Sequence, residues 1–275
     1  MRCAHTRSGV PRAPPKPPTT STVASDPDLS GYSARVQDLA INLLASVLAG
    51  AAVWVAQRLL SYRRLARERA FFGLAGGAAC RLVVGRLASA DDERSVHRND
   101  VAALVELATI VRECGARPDM FAGADAPSGV GRVTEFCVGG PTSNPRTEAH
   151  MRAMLPGVGM AGYRGPGDEL TLAVGDGRFV RDPNRREYAV VARCAGAGGR
   201  PVFVLIGQTA VTNLAAARFL GANHRALRRT YGERADFCLV LRVVEPGAYG
   251  ADRVELEADV TAEATTPRSP ASSAG

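Results

Sequence analysis

The chain has almost no lysine. Lys16 is the only one among 34 basic residues, and it lies near the N-terminus. A Schiff-base lysine, a lysine nucleophile and a P-loop lysine are therefore excluded from everything beyond it. No GxSxG nucleophile elbow occurs. The four histidines, at 5, 97, 150 and 224, show no metal spacing. The six cysteines, at 3, 80, 114, 137, 194 and 238, are never closer than 23 residues, so neither a zinc knuckle nor a CxxC pair exists. No metal is expected, and the cysteines in apolar runs read as small buried hydrophobes.

Aromatic residues make up only 5%, too few for a stacking platform along single strands. The formal charge of +7 is also less informative than it looks. Residues 1–70 carry 10 basic and 4 acidic residues, whereas 71–275 carry 24 and 23. The larger part is balanced, so no nucleic-acid partner is expected.

Residues 1–35 are rich in Pro, Ser and Thr (PRAPPKPPTTST, SDPDLSGYS) and read as a disordered tail. Leu39–Ala56 then gives 18 residues without a charge. At 1.5 Å per residue they span about 27 Å, close to a bilayer core of about 30 Å. Arg58, Arg63, Arg64, Arg67 and Arg69 follow, while Asp26, Asp28 and Asp38 precede with only Arg35. Arginine excess marks the cytoplasmic side, so the expectation is a single-pass cell-membrane protein, N-terminus outside and C-terminal domain cytoplasmic. Trp54 and Tyr62 suit interface anchors. Two other readings stay open. A cleaved signal peptide places its charge before the apolar run and does not usually begin that run at residue 39. A buried helix of a soluble protein would accommodate Asn42, Ser46 and Gly50.

Past a glycine break at GLAGGAA, apolar runs alternate with helical periods. Strands are predicted at 80–87, 118–122, 134–140, 187–195, 200–208 and 236–244, with an edge strand at VELEADVT. Helices are predicted over 98–114, where apolar Val101, Leu104, Val105, Ala108 and Val111 keep a 3,4 spacing, from about Asn144–Pro145, and over 211–232. The stretch 157–186 is glycine-rich, with short strands at ELTLAV and GRFV, and GAGG reads as the turn of a hairpin. Buried strands alternating with helices indicate an α/β, Rossmann-like fold: a mostly parallel sheet with helices on both faces. The expected organisation is a tail (1–35), one transmembrane helix (36–60), a basic juxtamembrane helix against the inner leaflet (61–70), the α/β domain (71–260) and a second disordered tail (261–275).

One local pattern occurs twice. FCVGGPTSN runs from an apolar strand through Gly139 and Gly140 to Ser143 and Asn144, then a helix. VLIGQTAVTN runs through Gly207 and Thr209 to Thr212 and Asn213, then a helix. Glycines let backbone N–H groups approach a ligand, and a helix N-terminus favours an anion. Ligands of open α/β sheets bind at such carboxyl ends. Ser, Thr and Asn are equally the preferred helix caps, so each loop also reads as a plain cap. The GxGxxG string at Gly157–Gly162 follows a helix and Pro156 instead of a strand, and is a decoy. A hydrolase on the same site would need a carboxylate near the loops, from Glu135, Glu148, Asp168, Glu169 or Asp182. No cofactor is singled out.

FFGLAGG, HRNDVAALVELATIVRECGARPD, GRVTEFCVGGPTSN, RPVFVLIGQTAVTN and AYGADRVELEADV together resemble a family of uncharacterised actinobacterial membrane or secreted proteins with a GGPxSN motif. That resemblance implies no activity. The strand–GGP and strand–GxT loops are more distantly similar to Rossmann-like domains of the SLOG type. This implies a nucleotide or nucleotide-derived signal as ligand, or a nucleotide-cleaving hydrolase of N-glycosidase type. A ligand-free interaction scaffold is the third expectation.

Overall fold

A computed structural model describes residues 29–87, 95–123, 125–161 and 170–267. The chain divides into two units, Met1–Arg58 and Leu59–Gly275. The first is represented by helix α1 (Leu29–Phe72), whose earlier part carries the apolar run and whose last turns belong to the second unit. Over Arg35–Phe72 this helix is long and apolar enough to cross a membrane.

The second unit is an α/β domain built on a seven-stranded, mostly parallel sheet. In chain order its elements are β1 (Ala79–Val84), α2 (Arg98–Glu113), β2 (Arg117–Ala122), β3 (Thr134–Val138), α3 (Pro145–Met154), β4 (Val158–Met160), β5 (Thr171–Val174), β6 (Gly177–Val180), β7 (Arg186–Ala195), β8 (Pro201–Gly207), α4 (Ala210–Tyr231), β9 (Phe237–Val244), α5 (Pro246–Tyr249), β10 (Val254–Asp259) and α6 (Thr261–Thr265). The strand order is β10-β9-β7-β8-β3-β1-β2. β2, β1, β3 and β8 pair in parallel; β7 runs against both β8 and β9, and β10 against β9. The expected hairpin is β7–β8, closing at Ala195 and Pro201. β4, β5 and β6 form a separate small antiparallel sheet.

Strand alternation sorts the side chains into two cores. Leu82, Phe136, Phe203 and Leu205 face α2 and α4, together with Phe71 and Phe72. Val202, Val204 and Ile206 face the other way, against Met151 and Leu155 at α3. Helices thus cover both faces. The strands are apolar on both sides because both sides are covered.

The basic stretch 61–70 continues the apolar helix, as expected, within one unbroken α1. Its end is anchored in the domain: Phe71 and Phe72 are buried, Arg69 Nε donates to Cys114 O at 2.7 Å, and Glu68 meets Arg225 at 3.2 Å. The second tail begins later than 261, because α6 buries Ala264 against the second core. On α2, Val101 and Val105 are exposed; the inward face is Leu104, Leu107, Ala108 and Val111, which a five-residue apolar repeat could not distinguish from its neighbour. Residues 29–35, assigned to the first tail, open α1, and the rest of that tail lies outside the described residues.

Candidate functional site

Each glycine loop is shaped by a steric requirement. Gly139 has φ +102°, a backbone conformation costly for any residue with a Cβ. Gly207 is crossed by the first turn of α4: a Cβ there would lie 2.6 Å from Asn213 N. Both loops end in true caps. Asn144 Oδ1 accepts from Arg146 N (3.0 Å) and Thr147 N (3.3 Å), and its Nδ2 donates to Val138 O (3.1 Å). Thr209 and Thr212 form a reciprocal capping box on α4.

Between the loops lies a cavity of about 330 Å³. It opens at the carboxyl ends of β1, β3 and β8, with Met160, Ala161, Leu170 and Arg181 closing it from the side of the small sheet. The position follows from topology. α2 carries the chain from β1 outward to β2, whereas the chain beyond α3 returns to β8 on the other side of β3. The connections diverge between β1 and β3, and a crevice forms where they part.

Of the sequence-predicted residues, Gly140, Ser143, Gly207, Thr209 and Asn213 reach the cavity wall; Gly139, Asn144 and Thr212 lie behind it. The expected side-chain donors are spent internally. Ser143 Oγ donates to Gly140 O (3.1 Å), and Thr209 Oγ1 donates to Glu187 Oε2 (2.6 Å). Asn213 Oδ1 accepts the Gly207 N–H (2.6 Å), leaving Nδ2 to donate to Asp100 Oδ1 (2.8 Å).

Other polar groups on the wall were not singled out in the sequence. Arg86 lines the cavity; its backbone N–H donates to Ser143 O (2.9 Å), and its guanidinium has no ion pair with a described residue. Arg181 enters from the small sheet, held by Glu187 at 2.8 Å. His97 caps α2: its Nδ1 accepts from Asn99 N (3.1 Å), so in the neutral ring the proton sits on Nε2. The backbone N–H groups of Ala210 and Val211, at the start of α4, have no described acceptor. Asp100 is the one carboxylate among the described wall residues. Burial pushes its carboxyl above the usual range, against the hydrogen bond from Asn213 and the charge of nearby His97. Arg81 and Glu135, charged residues inside apolar strands, were the legible sign of buried polar structure. Asp100 and Arg181 carried no comparable sign.

The carboxylates proposed for hydrolysis are placed elsewhere. Glu135 is buried on the α3 face, gripped by Arg146 through two bonds (2.7 and 2.8 Å), by His150 Nε2 (2.7 Å) and by the Cys137 thiol (3.2 Å). Burial alone would raise its pKa, but these hydrogen bonds hold it at about 2. Glu148 is on the surface with Arg152 (2.7 Å), and Asp182, whose backbone pairs with that of Arg186, is not among the wall residues. Asp168 and Glu169 lie outside the described residues.

Glu135, Cys137 and His150 do place three potential metal ligands within 4.8 Å of one another. Arg146 and Arg81 (3.8 Å) already neutralise the carboxylate and would repel a dication, so the cluster is an internal ion-pair network. Burial pushes the cysteine thiols up, Cys114 to about 11 and Cys194 to about 12, consistent with inert core residues. The decoy glycine Gly157 serves packing: its N–H donates to Ala264 O of α6 (2.9 Å).

The domain is therefore an α/β sheet with a cavity at its carboxyl edge. Compared with protein-family models, with curated proteins and with solved structures, the chain matches none.

Proposed function

We propose that the domain binds a small anionic molecule, a nucleotide or nucleotide-derived signal, in the cavity between the two glycine loops. A single-pass anchor would hold that domain on the cytoplasmic side of the cell membrane. One observation carries the reading: Arg86, Arg181 and the N–H groups opening α4 share one cavity. Cations and a helix N-terminus at a sheet switch point suit a phosphate group. The volume, about 330 Å³, is at the lower end of the range for small-molecule sites. Orientation rests on the arginines that follow the apolar run.

The test is thermal unfolding of the full chain in detergent against a panel of nucleotides. A ligand at 100 times its Kd stabilises by about 2.7 kcal/mol, a rise in Tm of about 5–10 °C for a domain of this size. The rise should shrink in Arg181→Ala. A flat response across nucleotides and inorganic phosphate would favour the scaffold, for which both loops are caps only.

A further inference from the structure

Asp100 is an odd wall residue for an anion site. A carboxylate among arginines and helix N-termini opposes the charge those groups attract. Yet it is held in place. The Gly207 N–H fixes Asn213 Oδ1 at 2.6 Å, which turns Asn213 Nδ2 toward Asp100 Oδ1 at 2.8 Å. Gly207 is where a side chain cannot fit beside α4, so the relay starts from rigid backbone. Asp100 is buried, and no described residue donates to its Oδ2. An ionised carboxylate accepts only, so an oxygen on the cavity wall that no described residue donates to is open to a donor from outside the protein. A ligand that brought a donor would fill that position.

We propose that Asp100 reads a hydrogen-bond donor on the ligand, so that the cavity selects hydroxyl- or N–H-bearing phosphate esters, of sugar phosphate or nucleoside monophosphate size, over bare phosphate esters. The inference rests on the anion reading above and narrows it. Arg86, Arg181 and the α4 N-terminus take the phosphate, while Asp100 takes a sugar hydroxyl or base N–H. At about 330 Å³ the cavity suits one such unit instead of a dinucleotide. The sequence hid this residue because Asp in the first turn of a helix ordinarily does no more than complement the helix dipole.

The experiment titrates the full chain in detergent with methyl phosphate, ribose 5-phosphate and adenosine monophosphate by calorimetry. Methyl phosphate has the ester charge and no further donor. The two larger probes should bind at least about tenfold tighter than methyl phosphate. In Asp100→Asn, where the Asn213 contact keeps the amide oxygen, the group facing the cavity becomes a donor. The preference should then fall by about 10–100-fold, the loss of one hydrogen bond to a charged group. Arg181→Ala should weaken all three probes and keep their ratio. An unchanged ratio in Asp100→Asn overturns the inference while leaving the anion site standing. So does the absence of any preference in the unaltered chain, a measurement that needs no variant to fold. Failure of all three probes, methyl phosphate included, overturns the anion site itself and the inference with it.

Discussion

Glu135 on the α3 face and Asp100 beside the α4 N-terminus are both buried carboxylates, with opposite surroundings. Glu135 is met by two arginines, a histidine and a thiol, and its pKa is held at about 2. Asp100 receives one described hydrogen bond, from Asn213, and burial pushes its pKa up. A carboxylate whose partners are all internal holds helix to strand. One left short of partners, on a cavity wall, keeps bonding capacity for something outside the protein.

The contrast breaks most visibly at Glu135. Glu135→Gln leaves the Arg146 and Arg81 guanidiniums without their counter-charge, and should cost about 3–5 kcal/mol in denaturant unfolding followed by circular dichroism. The same residue sets a pH dependence. Its folded pKa lies below the ordinary 4.5, so its contribution is fully present above about 4.5 and is lost as pH falls from there toward about 2. Glu135→Gln should flatten that acid limb. Asp100, shifted the other way, takes up its proton early in the folded state and so gives the opposite slope.

The two asparagines sharpen the comparison at smaller scale. Asn213→Ala removes the bonds to Gly207 and Asp100, and should cost about 1–3 kcal/mol and weaken ligand binding by freeing Asp100. Asn144→Ala removes an N-cap away from the cavity wall; it should cost about 1 kcal/mol and leave the Kd of a bound nucleotide unchanged. Unfolding and calorimetry on the same preparations separate the two. Smallest of all, Glu148→Ala breaks only an exposed i,i+4 pair with Arg152. It should shift stability by less than about 0.5 kcal/mol and binding not at all.

Most of the sheet was legible because each central strand is a predominantly apolar run, despite charges such as Arg81 and Glu135, with a glycine at or near its end. Both glycine loops were found the same way, and their strand–turn–helix setting does put five of their eight named residues on the cavity wall. What could not be read was which side chains would remain free. Asn144 and Asn213 look alike in sequence; one caps α3 behind the wall and the other bridges β8 to α2. Arg181 lies in a glycine-rich stretch whose strands are only three or four residues long, too short for periodicity to orient. The FF pair at the end of α1 reads equally as a membrane-interface anchor or as core, and only packing against Phe203 and Phe136 decides it.

The pairing pattern also sets an order of assembly. β7–β8 and β9–β10 are hairpin-like neighbours along the chain, whereas β1–β3 joins Cys80 to Thr134 and β3–β8 joins Glu135 to Val202. Closing such long loops costs entropy before the contacts repay it, so we expect these pairs to form after the local ones. The cavity needs the ends of β1, β3 and β8 side by side, so it exists only once the slowest contacts are made. A ligand that recognises the finished edge then acts after the rate-limiting barrier. It leaves the folding rate untouched and slows unfolding, lengthening the lifetime of the folded domain instead of hastening its birth.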